Sequence, residues 1–186
     1  MTDALRAATD EKPLQKVLEQ YPELLAPLVT GNHGTWVIPQ TRLAGTYIPD
    51  FVIAGITSAG IEWVLIELET PAVRLHTNDN GYTAQVRHGM KQIKDWRGWL
   101  ENNLDMARRP QSEHGLGLPG IRARPRGIVI ASRSSGPTMD VDRTRQDTYD
   151  EERIEVMTYD RLVRMNRAPS PFGDSPFDED DIGSPF

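Results

Sequence analysis

The sequence predicts an α/β domain, a mixed central sheet with helices laid over it. Three observations predict it. Helical and strand-like patterns follow one another as helix, antiparallel hairpin, helix, strand, helix, strand. The apolar runs WVLIEL and GIVIA are concentrated, as buried strands require. No repeat of solenoid length appears in the 186 residues, which suffice for one ordinary domain with a real core.

The first helix starts at Asp10-Glu11-Lys12-Pro13, where Asp10 can cap and Pro13 suits the first turn. Leu14, Val17, Leu18 and Tyr21 then form one stripe, and Pro22 ends or kinks the helix. Strand-like text follows in TWVIPQTRL, TYIPDFVIAG and IEWVLIELE. Val86, Met90, Ile93 and Leu100 predict a longer helix from Thr83 to Asn102. After Asn102-Asn103, the Pro/Gly-rich RPQSEHGLGLPG reads as a long loop. GIVIAS reads as a buried strand, DRTRQDTYDEE as a short polar helix, RIEVMTY as a strand and DRLVRM as a last helical turn.

Residues 1–167 make up the domain. Residues 168–186 contain Ser-Pro-Phe three times and no lysine or arginine, the composition of a disordered acidic tail. That tail holds five of the 27 acidic residues, so the remaining 22 nearly balance the 21 basic ones behind a net charge of -6. A neutral body with local basic patches is compatible with nucleic acid, and ordinary solvated charge is the other reading. The patches are Arg87, Lys91, Lys94 and Arg97, and Arg122, Arg124, Arg126 and Arg133.

With no cysteine, disulfides, thiolate zinc sites and cysteine nucleophiles are excluded, and a reducing compartment is permitted. No apolar run approaches the roughly 18 residues that span a bilayer. The charged N-terminus also lacks the apolar stretch of a secretory signal. The expectation is a cytoplasmic protein without a membrane partner.

Chemistry concentrates in the hairpin. A turn centred between Ser58 and Ala59, with Gly60 supplying a positive φ, places Asp50 opposite Glu67. On the second strand Val64, Ile66 and Leu68 point one way, and Trp63, Leu65, Glu67 and Glu69 the other. Carboxylates at the end of a doubly buried strand carry an unusual desolvation cost. A hard divalent cation, Mg²⁺ or Mn²⁺, offsets it, so Asp50, Glu67 and Glu69 are candidate ligands of one metal. Glu-x-Glu is also common at solvent-facing strand ends, but Pro49-Asp50 in matching register favours the metal.

Pro-Asp followed by a hairpin return bearing Glu-x-Lys is the signature of PD-(D/E)XK nucleases. The blocks YIPDFVIAG, WVLIELETP, QIKDWRGWLENN and VMTYDRL together resemble the nuclease domain of Shedu anti-phage defence proteins, from about Glu11 to Leu162. The resemblance implies a restriction-endonuclease-like core, Mg²⁺- or Mn²⁺-dependent cleavage of DNA, defence against phage and a homo-oligomer. By the same resemblance, Asp50 and Glu67 match the motif's metal ligands, while Glu69 occupies the lysine position. Glu69 cannot supply the lysine's positive charge, so it acts as a further ligand or a base, Lys91 or Lys94 restores the cation, or cleavage is lost and binding kept.

His88, Gln92, Trp96 and Trp99 share a helical face. Gln92 resembles a recurrent glutamine of this nuclease class that helps hold the site; a glutamine satisfied by nearby backbone is the plainer reading. The tryptophans read as core, and His88 as structural or exposed. Glu11 reads first as a helix-dipole residue and second as a ligand. Arg122, Arg124 and Arg126, with Lys91 and Lys94, are candidate phosphate contacts, or partners for carboxylates of a neighbouring subunit. The terminal FDEDDIGSPF resembles the acidic tip of bacterial single-stranded DNA-binding proteins, with Gly183-Ser184 interrupting the match. It implies a host protein partner or docking back onto the domain; a solubilising tail is the plainer alternative.

Overall fold

The hairpin forms in the predicted register. In the computed structural model, which describes Leu5 and residues 8–43, 47–79, 81–133 and 139–166, β2 (Phe51–Thr57) and β3 (Gly60–Leu68) pair with Phe51 opposite Ile66 and Thr57 opposite Gly60. Gly60 has the left-handed φ of 115° that closes the turn. Strand β1 (Gly34–Pro39) pairs antiparallel on the far side of β2. The expected tail, 168–186, lies outside the described residues.

From β3 the sheet turns parallel. The long helix α2 (Ala84–Arg108) crosses to β4 (Arg126–Ile130), and α3 (Met139–Glu152) crosses from there to β5 (Ile154–Met157). The order is β1-β2-β3-β4-β5, antiparallel in its first half and parallel in its second. This is the mixed α/β sheet flanked by helices that the sequence predicts. Among the described residues no helix is long and apolar enough to cross a membrane.

Alternation along β3 sorts the core into two. Trp63 and Leu65 face Val86, Ile93, Trp96 and Leu100 of α2. Val64, Ile66 and Leu68 share the other cluster with Leu14 and Leu18 of α1 (Lys12–Gln20) and with Tyr159 and Leu162 of α4 (Tyr159–Met165). Both faces are therefore dry, which is what the unbroken apolar run requires.

Two boundaries differ from the sequence reading. Glu11, not Asp10, flanks the first helix, although the Asp10 carboxylate accepts from the Lys12 amide at 3.1 Å. Helix α2 does not stop at Asn102. Asn103 leaves helical geometry (φ -135°), yet the chain resumes to Arg108 because Ala107 is buried and Leu104 packs on the core. The loop after it folds back, Leu118 donating to the Ala107 carbonyl at 3.0 Å and the Arg108 guanidinium to the Ile121 carbonyl at 2.8 Å.

Candidate active site

Two paired strands bring three carboxylates to one end of the sheet. Asp50 stands at the entrance to β2, where its carbonyl accepts from the Gln40 amide at 2.9 Å. Its side chain reaches across the hairpin, Oδ2 accepting from the Leu68 amide at 2.8 Å. Glu67 is on β3, only 7% exposed, and its carboxyl hydrogen-bonds Asp50. Glu69 follows β3, tied to β4 by its amide, which donates to the Ile130 carbonyl at 2.9 Å. The pair the register predicts is thus made, at the C-terminal end of a central strand.

Burial sets the charge of this group. Loss of solvent pushes Asp50 up to about 6, against the opposing Leu68 amide. Glu67 is pushed up to about 10, by burial first and then by the charges of Asp50 and Glu69. Glu69 is also raised by burial, and His88 opposes the rise. Without a cation, Glu67 therefore keeps its proton at neutral pH while Asp50 is mostly ionised. Oε2 of Glu67 is buried with no hydrogen-bond partner in the protein, and so is Oε1 of Gln92, whose side chain bonds Glu67.

Such a set fits Mg²⁺ or Mn²⁺: hard oxygen donors, one without a partner, in a place where negative charge is costly. The fit is to a pair rather than a cage. Among the described residues no three acidic or histidine side chains stand close enough to hold a metal between them. Oε1 of Glu69 is instead 3.0 Å from Nδ1 of His88. Mg²⁺ commonly takes one or two carboxylates and completes its shell with water and phosphate oxygens, so Asp50 and Glu67 are the residues that would hold it.

The candidate cations lie elsewhere. Lys91 pairs with Asp95 at 2.5 Å, and Lys94 with Glu152 at 2.7 Å. Arg122, Arg124 and Arg126 line the opposite end of the sheet, beside the β2–β3 turn. Glu62 at that end and Glu67 at this one are five residues apart on β3, about 17 Å at 3.3 Å per residue. Arg126 is bound to Glu62 at 3.6 Å and Glu155 at 3.2 Å, and also donates to the Leu28 carbonyl.

Comparison with known proteins bears on this geometry. The family model described as Shedu protein SduA, C-terminal, matches residues 8–163. The chain belongs to that family. Asp50, Glu67, Glu69 and Gln92 all fall inside the Shedu match, and the acidic tail falls outside it. Among solved structures the chain is similar to one described as an EndoMS–dsDNA complex, with 16% identity and a TM-score of 0.37. That match covers 81% of this chain and 44% of the other, so the chain spans under half the length of that relative. Among curated proteins none matches.

Two neighbours of the carboxylates, Tyr159 and Gly89, carry no role in the sequence reading, and a third, Glu11, is read there as a helix-dipole residue or a ligand. The Tyr159 hydroxyl donates to the Glu69 carbonyl at 2.8 Å, and its pKa is raised well above the ordinary value, by burial first and then by Asp50, Glu11, Glu69 and Glu67. Its signal was the VMTYDRL block of the Shedu resemblance, which marks the segment without giving the tyrosine a task. Gly89 lets α2 approach, because a Cβ there would stand 3.3 Å from both Cγ and Oε1 of Glu69. Glu11, read first as a helix-dipole residue, adds its negative field to Asp50 and Glu69.

Proposed function

We propose that the chain is a divalent-metal-dependent DNA endonuclease of an anti-phage defence system, with Asp50 and Glu67 holding Mg²⁺ or Mn²⁺. One observation carries the reading: a buried, mutually hydrogen-bonded Asp-Glu pair at the end of a central strand, with one glutamate oxygen left without a partner. Family membership over residues 8–163 agrees with it.

The bound cation would supply Lewis-acid activation of water and neutralise charge on the phosphodiester. The chain's own residues do the rest. The Leu68 amide fixes one oxygen of Asp50 and leaves the other for the ion. Gln92 orients Glu67 from α2. Glu69, steadied by His88 through its side chain and by Tyr159 through its backbone, is the group that receives a proton from the attacking water. Lys91 and Lys94, exposed on the helix that carries Gln92 and His88, exchange their carboxylate partners for DNA phosphates. The working form is a homo-oligomer, since cutting both strands commonly takes two sites.

One observation favours a second reading, a DNA- or partner-binding module whose cleavage is weakened. Among the described residues His88 is the sole basic side chain paired with these carboxylates, and no described lysine or arginine takes the place of the motif lysine.

The test is incubation with supercoiled and linear DNA under Mg²⁺, Mn²⁺ or EDTA, beside Asp50→Ala and Glu69→Lys. Cleavage that requires metal and Asp50 supports the nuclease. Cleavage by Glu69→Lys alone supports the binding module. Silence from every variant, with no metal binding by calorimetry, overturns the nuclease, and absence of DNA binding by the native chain counts against the binding module as well.

A further inference from the structure

At the end of the sheet away from the carboxylates, the β2–β3 turn, the loop before β4 and Arg153 enclose a cavity of about 320 Å³. Arg122, Arg124, Arg126 and Arg153 line it, with Trp63 among its walls. Among the described residues, Arg126 alone of the four is neutralised, by Glu62 and Glu155. Among the described residues Arg122, Arg124 and Arg153 have no ion-pair partner. Their excess charge reaches the buried Arg97, lowered to about 10 by burial first and then by Arg124 and Arg153. A cavity of this kind in a chain of net charge -6 calls for an anion.

The chain carries one within reach. Asp174, Asp178, Glu179, Asp180 and Asp181 follow the last basic residue, Arg167. The described part of the chain ends at Asn166, whose side chain donates to the Leu24 carbonyl at 2.8 Å. Leu24 belongs to the 3-10 helix Pro22–Leu28, and the Leu28 carbonyl accepts from Arg126, on the cavity's wall. At about 2 Å per residue, Leu24 and Leu28 are roughly 8 Å apart, so Asn166 is on the order of 15 Å from the rim. The eight steps from Asn166 to Asp174 can span roughly 27 Å.

We propose that the acidic segment 174–181 of the chain's own C-terminus occupies this cavity, its carboxylates pairing with Arg122, Arg124 and Arg153. Each exposed pair contributes little by itself, roughly 0–1 kcal/mol. The tether makes the segment effective, by holding it at a local concentration on the order of millimolar. Docking of this kind is screened by salt and yields to a polyanion that brings more charges. It does not depend on the reading of the carboxylate site.

The test measures how fast the arginine reagent phenylglyoxal modifies Arg122, Arg124 and Arg153 in the full-length protein, by peptide mass, relative to the exposed Arg109. The comparison is the full chain with Asp174→Asn, Asp178→Asn, Glu179→Gln, Asp180→Asn and Asp181→Asn. At low salt the native chain is expected to react at least about threefold more slowly at the three arginines, a difference that vanishes near ~0.5 M NaCl, where the Debye length is about 4 Å. Equal rates in the two chains at low salt overturn the proposal. A DNA oligonucleotide that protects the three arginines equally in both chains, with no effect of the tail charges, also overturns it and gives the cavity to nucleic acid.

Discussion

The His88 ring and the Glu69 carboxylate meet at 3.0 Å, and Glu69 does not stand with Asp50 and Glu67 as a three-ligand group. His88 is 66% exposed on its side chain and Glu69 14%, so the histidine can be removed without opening the core. His88→Ala should free Glu69 to join the cation, tightening Mn²⁺ binding by about threefold, the modest effect expected of a half-screened pair. Isothermal titration calorimetry reads this directly. Weaker binding in the variant would mean that His88 orients Glu69 for the ion instead of withholding it.

The raised carboxyl pKa values make stability depend on pH with a definite sign. A carboxyl that binds its proton more tightly when folded stabilises the protein below its unfolded value, and that stability is lost as pH rises through the folded one. For Asp50 the loss runs from about 3.8 to about 6, and for Glu67 from about 4.5 to about 10. Without divalent cations Glu67→Gln should therefore flatten the fall of Tm above pH 6 while leaving Tm near pH 5 almost unchanged. Mg²⁺ should raise the native Tm more at pH 8 than at pH 5.5, because it displaces protons, and should do little for Glu67→Gln. Differential scanning calorimetry across that range checks both. An unchanged slope in the variant would place the titrating group elsewhere.

Local rules reach some of this site and not the rest. The Asp50–Glu67 opposition is legible because one glycine fixes the turn, and the two-residue period of a strand carries the register along the hairpin to the carboxylates. The split of β3 between two cores follows from the same period. His88 and Glu69 are 19 positions apart, and Tyr159 and Glu69 are 90, so no local pattern links them. Arg122, Arg124 and Arg126 are legible as a basic cluster, but which end of the sheet they occupy depends on the direction of β4. The parallel crossover through α2 starts β4 at the turn end of the hairpin, away from the carboxylates. The continuation of α2 is masked by Asn102-Asn103, which does kink the helix, because what carries the chain on to Arg108 is the tertiary burial of Ala107 and Leu104.

Tyr159 joins α4 to the site through one hydroxyl, which donates at 2.8 Å to the Glu69 carbonyl. Tyr159→Phe keeps the buried ring in the core and removes only that bond. It should cost about 1–1.5 kcal/mol in urea unfolding, the usual worth of a buried hydrogen bond with one acceptor left behind. Cation binding should weaken by less than tenfold, since the backbone of Glu69 keeps its bond to Ile130. A variant as stable as the native chain would mean that water replaces the hydroxyl.

Among the described residues Arg97 is the one buried basic side chain. It is 4% exposed, and its guanidinium donates to the Pro125 carbonyl at 2.9 Å, the Glu152 carbonyl at 2.7 Å and the Arg153 carbonyl at 2.9 Å. Those bonds fasten α2 to the start of β4 and to the end of α3, at the end of the sheet where the arginine cavity lies. Arg97→Met fills much of the volume but leaves three carbonyls without that donor, so a loss of about 3–5 kcal/mol is expected. Arg97→Lys keeps the charge without the planar fork that reaches all three, and should recover only part of it. Equilibrium urea unfolding orders the series as native, Lys, then Met. If Lys matches the native protein, the charge and not the fork is what the site requires.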